Sequence, residues 1–270
     1  QKIVAIATKL EESDNSVENF RITERVKENL KLFQTDNVEE KMDEIYERSK
    51  DFAGAETRKD ILWFVDLFYH TPLYFKFGKR IERGYLDMMM IGESRTGKSQ
   101  VAKKLLEMYE LGVFTSLKTS TVAGLIGGSD KTSGGLKTKL GLIPRNHKGA
   151  VIMEEFSGGG QEVANALTEI RSSNKVRITR VNGTTTVDAM VRMLSISNQA
   201  KGTDGQTTPI RQYPNGVQVI QELVGASEDI ARYDLFLLID EPKEYTRPNE
   251  EIELEAYPKE AYMDRVRWIW

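Results

Sequence analysis

The feature that most constrains this chain is Gly92-Glu93-Ser94-Arg95-Thr96-Gly97-Lys98-Ser99. It follows the apolar run Leu86-Asp87-Met88-Met89-Met90-Ile91 and precedes Val101, Leu105, Leu106 and Met108, an apolar stripe at helical spacing. A strand, a glycine-bounded loop and a helix opening on Lys-Ser are therefore expected in succession. Such a loop exposes consecutive main-chain N–H groups, and the helix N-terminus adds partial positive charge, so the two together wrap phosphate. Lys98 reaches the β and γ phosphates of a nucleoside triphosphate, and Ser99 offers a hydroxyl to Mg2+. The pattern predicts a site for ATP and Mg2+ built from Gly92, Glu93, Ser94, Arg95, Thr96, Gly97, Lys98, Ser99 and the following Gln100.

A second element has the chemistry that such a site needs. Gly149-Ala150-Val151-Ile152-Met153-Glu154-Glu155-Phe156 is an apolar strand ending in two adjacent carboxylates. At the strand end Glu154 serves the metal's coordination shell, while Glu155 turns toward the γ phosphate and polarises the attacking water. A third strand, Met193-Leu194-Ser195-Ile196-Ser197, ends at Asn198, whose amide either closes a turn or holds that water. Arg232 lies just before the apolar run 235–239. There it pairs with Asp229 or Asp234, or projects to a neighbouring subunit.

Around these motifs the periodicity predicts an α/β fold: short buried strands at 86–91, 113–117, 150–153, 193–196 and 235–239 in a mostly parallel sheet, covered on both faces as a three-layer sandwich. Helical spacing in Ile22, Val26, Leu30 and Phe33, then in Val38, Met42 and Ile45, predicts two helices separated at Thr35-Asp36-Asn37, with a third over 56–69. Residues 1–50 are thus expected to be mainly helical, with a strand-like run at 3–7, and residues 51–240 to form the nucleotide-binding core. Residues 241–270 are expected to be a linker and the start of a truncated lid. Gln1 at the start and the apolar Tyr262, Val266, Trp268, Ile269 and Trp270 at the end predict a piece of a longer chain. The absence of cysteine excludes disulfides, thiolate metal sites and cysteine nucleophiles, and no apolar run approaches the roughly 20 residues of a membrane span.

The charge balance, 38 basic against 41 acidic side chains, gives no overall attraction for a polyanion, so nucleic-acid contact requires a local basic patch. Two segments offer one. Residues 175–187 alternate like a β-hairpin, with Asn182-Gly183 as a two-residue turn. Lys175, Arg177 and Thr179 lie on one face and Arg180 beside the tip. Residues 127–139 read as a flexible basic insertion carrying Lys131, Lys137 and Lys139, suited to sugar-phosphate contacts that read no base.

Taken together, these blocks resemble the minichromosome-maintenance-like branch of AAA+ ATPases, ring helicases of replication, over about residues 52–240. A looser similarity links them to Lon-related AAA+ proteins of anti-phage systems. The resemblance rests on Gly54-Ala55-Glu56, the phosphate loop followed by Gln100, Glu154-Glu155-Phe156, Ser197-Asn198 and Ala231-Arg232-Tyr233-Asp234. It implies an AAA+ P-loop fold in which Asn198 is the first sensor and Arg232 enters the adjacent subunit's ATP site. By the same likeness 175–187 is the hairpin that precedes that sensor and grips the DNA backbone in a ring channel, and 127–139 is the family's helix-2 insert. The chain departs from the family at Glu154, where Asp is usual, and at Glu93-Ser94-Arg95, where Asp-Pro-Gly is familiar. The expected function is an ATP-dependent DNA helicase or translocase core acting on single- or double-stranded DNA as a homo-oligomer, a hexameric ring. No membrane partner is expected, and the setting is cytoplasmic if the source is prokaryotic or a mobile element. The alternative is a protein-remodelling ATPase or a nucleotide-dependent assembly scaffold.

Overall fold

A computed structural model describes residues 17–132, 135–180, 183–202, 205–240 and 254–270. In chain order these form α1 (Glu24–Lys31), α2 (Val38–Ala53), α3 (Lys59–Tyr69), β1 (Tyr74–Phe77), β2 (Arg80–Arg83), β3 (Met88–Gly92), α4 (Lys98–Tyr109), β4 (Val113–Ser116) and α5 (Val122–Leu125). There follow β5 (Gly127–Thr132), β6 (Gly135–Leu140), α6 (Leu142–Arg145), β7 (Ala150–Glu154), α7 (Gly160–Ser173), β8 (Lys175–Arg180), β9 (Gly183–Asp188) and β10 (Arg192–Ser197). The last elements are α8 (Gly216–Val224), α9 (Ser227–Ile230), β11 (Leu235–Ile239) and α10 (Lys259–Ile269).

Five strands make the central sheet, in the order β11-β3-β10-β7-β4, every pair parallel. Alternate side chains of each strand enter opposite layers. Met88 and Met90 of β3, with Ile152, Leu194 and Ile196, pack beneath α3, α4 and α10. Met89 and Ile91 face the other way toward Val219 of α8 and Tyr233, and Val151, Met153 and Met193 meet Val163, Leu167 and Ile170 of α7. Because both faces are covered, β3 and β10 are buried at every position, which is why the strands appear in sequence as continuous apolar runs rather than alternating ones. The three-layer α/β sandwich expected from the sequence is the fold found.

The two early helices also appear, and the break between them is a cap. Asn37 Oδ1 accepts from Glu40 N at the start of α2, and Thr23 Oγ1 accepts from Val26 N at the start of α1. The run at 3–7 and residues 241–253 lie outside the described residues. Residues 259–269, expected to open a lid, form α10, which lies against α1 and α4 and buries Tyr262 and Val266 in the layer above the sheet. Polar groups lock it there. Arg265 Nη2 donates to Asp66 Oδ1 at 2.6 Å, Tyr109 donates to the same carboxylate oxygen, and Asn29 Nδ2 donates to Asp264 at 2.8 Å. Burial opposes the Asp66 charge, but the Arg265 guanidinium beside it prevails and holds the carboxyl below its usual range.

Three local expectations change. The insertion at 127–139 is an antiparallel hairpin, β5 with β6, rather than a flexible loop. In the second hairpin Arg180 pairs with Gly183, so Gly183 belongs to the ladder and the turn is not Asn182-Gly183; Val181 and Asn182 lie outside the described residues. A third hairpin, β1 with β2, was not expected at all. It carries Tyr74, Phe75, Phe77 and Ile81 in exposed positions, with Phe77 and Ile81 each 73% accessible. Apolar side chains that face water leave no burial pattern to read.

Replacing Arg265 with Met should lower stability by about 3 to 5 kcal/mol, because Asp66 would remain a buried carboxylate without its cation. Urea unfolding followed by circular dichroism checks this, and a midpoint equal to wild type would refute the lock.

Candidate functional site

The carboxyl ends of the sheet strands open on a cleft of about 1250 Å³ lined by residues 94–100, Glu154, Glu155, Ser197 and Asn198. Its floor is the loop between β3 and α4. Gly92 is obligatory there: a Cβ would lie 2.6 Å from the Ile239 carbonyl oxygen, inside the β3–β11 pairing. Gly97 has φ 84°, a left-handed conformation that glycine adopts without strain, and Arg95 is also left-handed at φ 66°. Gly97 occupies the N-cap of α4 and supplies no side-chain cap, so the first-turn amides face the cleft without an internal acceptor. That arrangement fits a phosphate group.

Lys98 is folded onto its own loop. Its ammonium donates to the carbonyls of Gly92 at 2.9 Å and Glu93 at 2.5 Å and to Thr96 Oγ1 at 3.0 Å. Burial, reinforced by the nearby positive charge of Arg58, pulls its pKa down to about 8. Gln100 is exposed and lies across the left-handed C-cap Gly54, where a Cβ would come 2.5 Å from its Nε2. The phosphate loop thus touches the Gly54-Ala55-Glu56 segment.

The acidic pair stands on the next strand but one. Glu154 closes β7 and is 3.5 Å from Lys103 Nζ; Glu155 leaves the strand with φ 57° and accepts a hydrogen bond from the Ser116 hydroxyl at the end of β4. A non-glycine residue in that conformation marks local strain. Asn198 follows β10, between the strands of the loop and of the acids, and its Nδ2 donates to Ser94 Oγ at 3.2 Å. Lys98, Ser99, Glu154, Glu155 and Asn198 are therefore brought to one cleft. Ser116 and Lys118, which also borders the cleft, were missed; their signal is position, at the end of and just beyond a strand that neighbours the acidic one. Among the described residues no three carboxylate or imidazole groups converge as a metal cage, so a divalent ion would depend on phosphate oxygens together with Ser99 and Glu154.

Arg232 does not line this cleft. It is exposed just beyond α9, while Asp234, one of its possible partners, binds Arg83 Nη2 at 2.7 Å instead. The hairpin β8–β9 exposes Lys175, Arg177 and Thr179 and buries Val176 and Ile178, and Arg177 stands 3.9 Å from Glu169 of α7. β5 packs beside β8, so the two basic hairpins are neighbours, with Lys139 exposed. Of Lys131, Lys137 and Arg180 the side chains lie outside the described residues.

The family model described as the MCM P-loop domain matches residues 66–252, from α3 through the cleft and past β11. The chain belongs to the MCM P-loop family. Its MCM relatives include the DNA replication licensing factor mcm-6 of Caenorhabditis briggsae, 26% identical over 167 residues, which cover 61% of this chain and 20% of that protein. The zygotic DNA replication licensing factor mcm6-A of Xenopus laevis is likewise 26% identical over 167 residues, 61% of this chain and 19% of its own. The DNA replication licensing factor MCM4 of Arabidopsis thaliana is 24% identical over 245 residues, covering 86% of this chain and 27% of its length. The chain thus spans about a fifth to a quarter of these MCM relatives. Nucleotide binding goes with the P-loop of the family. Among the described residues no helix is long and apolar enough to cross a membrane.

Near pH 7, below the Lys98 pKa of about 8, Lys98 already carries its proton, and its charge adds little pH dependence to triphosphate binding. Above about 8 the empty site must take up a proton to bind, so affinity should fall by up to about tenfold per pH unit. Calorimetric titrations at pH 7 and 9 in buffers of different ionisation enthalpy measure that uptake, and Lys98→Ala should bind weakly without it. Glu155→Gln should retain binding and lose turnover by about 100-fold or more; steady-state hydrolysis at wild-type rate would remove Glu155 from the catalytic role.

Proposed function

We propose that this chain is the ATP-hydrolysing core of a DNA helicase or translocase that works as a homo-oligomeric, most simply hexameric, ring. The observation that carries the proposal is one of connectivity: the basic hairpin β8–β9 is inserted between the strand ending in Glu154 and the strand ending at Asn198. The strands on either side of the insertion, β7 and β10, both end at the nucleotide cleft. A change at the γ phosphate therefore reaches the hairpin through two short covalent paths, α7 on one side and β10 on the other.

In this mechanism the loop amides and Lys98 hold the phosphates while Asn198 orients water near the γ phosphate. Mg2+, when bound through Ser99 and Glu154, supplies charge neutralisation for the leaving oxygen. Glu155 accepts the proton of the attacking water once it has left the Ser116 hydroxyl, which holds the carboxylate toward β4. Arg232 completes a neighbour's site, because it is exposed and stands outside its own cleft. Lys175, Arg177 and Arg180, with Lys131, Lys137 and Lys139 on the adjacent hairpin, track the sugar-phosphate backbone without reading bases. The names of the relatives, replication licensing factors, support DNA as the polymer.

Protein remodelling is favoured by one observation, the exposed Tyr74, Phe75, Phe77 and Ile81 of β1–β2, a surface better suited to a polypeptide than to phosphate. DNA-stimulated hydrolysis separates the two.

Replacing Lys175, Arg177 and Arg180 with Ala should weaken binding to single-, double- and forked-strand DNA alike. It should also reduce the slope of log affinity against log salt by about 2 to 3 and leave ATP binding intact. A salt-dependent anisotropy series measures this. Equal binding by wild type and variant at every salt concentration refutes the hairpin contact; no binding by assembled wild type at low salt favours remodelling.

A further inference from the structure

Between the basic hairpin and Arg232 runs a buried polar chain for which the nucleotide cleft has no use. Arg171 sits in the last turn of α7, four residues before β8 ends the helix's approach to the hairpin, and is only 5% exposed. Its guanidinium lies 4.2 Å from the centroid of the Tyr233 ring, and Nη2 donates to Ser195 Oγ at 3.3 Å. Tyr233 is the residue after Arg232 and is itself buried. A second line of contacts runs alongside. Asn174, the C-cap of α7, accepts from the Tyr85 hydroxyl at 2.6 Å; Arg83 stacks on Tyr85 at 5.1 Å and binds Asp234 at 2.7 Å. Asp234 in turn accepts from Asp87 N at 2.8 Å and donates its own N–H to Asp87 O at 2.8 Å.

The anchoring of Arg171 is peculiar. A buried guanidinium ordinarily takes a carboxylate, yet among the described residues Arg171 has no ion pair within salt-bridge distance, and its Nε has no hydrogen-bond partner. It is held by a ring face, one long hydrogen bond and the field of the buried Asp87 carboxylate, with no direct ion pair. Such contacts contribute little to stability for what the burial costs, but they track the position of α7 closely, because sliding the helix moves the cation across the ring. Tyr233 and Asp234 are both clamped, so any such shift is handed to the residue preceding them, Arg232.

We propose that Arg171 is a positioning residue that links the root of the β8–β9 hairpin to the orientation of Arg232. Load on the hairpin is thereby felt by the cation offered to the neighbouring subunit. This rests on the functional reading above for the roles of the hairpin and of Arg232, but the mechanical link itself stands on the contacts just given.

Two measurements on the full chain test it. In assembled protein, Arg171→Met should leave ATP KM, basal kcat and DNA affinity within about twofold of wild type while the DNA-stimulated increase in kcat falls about tenfold, and Arg171→Lys should restore part of it. Because the chain has no cysteine, Ala231→Cys takes a single nitroxide beside Arg232. Its electron paramagnetic resonance spectrum should sharpen with Arg171→Met and stay near the parent with Arg171→Lys. Wild-type stimulation together with an unchanged spectrum in Arg171→Met overturns the link. So does an equal loss of basal activity and thermal stability in both variants, which marks a purely structural role. If wild type is not stimulated by DNA, the functional reading fails; the nitroxide spectrum then decides the link alone, an unchanged spectrum overturning it.

Discussion

The structure depends on the approach of the Gly92 main chain to Ile239. With no side chain between them, β3 pairs with β11 to its very end and delivers the phosphate loop at the carboxyl edge of the sheet. Parallel pairing does the rest, since every strand then releases its chain at that same edge. The order of strands becomes an order of roles: loop after β3, amide after β10, acids after β7, hydroxyl at the end of β4. No residue of this row is near its neighbours in sequence. The sheet register alone makes them adjacent.

What is legible in the sequence follows from this. β3, β7 and β10 are buried on both faces, so their apolar runs stand out, and the glycine spacing of the loop has few other uses. The acidic pair is legible because polar side chains at the end of such a run are conspicuous. Ser116 is not, because a serine closing an apolar strand has no evident role until the sheet order sets it against Glu155. The hairpin β1–β2 escapes detection because its apolar residues face water. Gly183 reads as a turn residue because an Asn-Gly pair outweighs the ladder in local sequence, whereas the pairing of Arg180 with Gly183 puts it in β9. Arg171 does leave a trace: with Val163, Leu167 and Ile170 it falls on the apolar stripe of α7, where a charged residue is out of place.

A second theme is the use of buried charge away from the cleft. Arg192 is wholly buried across the start of β10, donating to the Thr71 carbonyl at 2.8 and 3.1 Å and stacking on Trp270 at 3.9 Å, and burial pulls its pKa down to about 9. Asp87 is equally buried at the entry to β3; burial pushes its pKa up to about 6 against the pull of Arg171 and Arg83. Such groups add little net stability, but each accepts only a narrow set of partners. They discriminate among packings that would satisfy apolar side chains equally well, at the places where helices from both ends of the chain meet the sheet.

The folded-back Lys98 changes what ATP binding means for this site. The ammonium does not wait in solvent for its anion; three oxygens of the loop already surround it. Association is then an exchange of hydrogen bonds rather than a gain of them, with the phosphate displacing carbonyls as the cation's neighbours. The measured affinity is a difference between two well-bonded states, and a loop already braced around its own cation needs little ordering when phosphate arrives. Once the phosphate departs, the same carbonyls can recapture the lysine, so the loop has a closed-shell resting form to return to in each cycle.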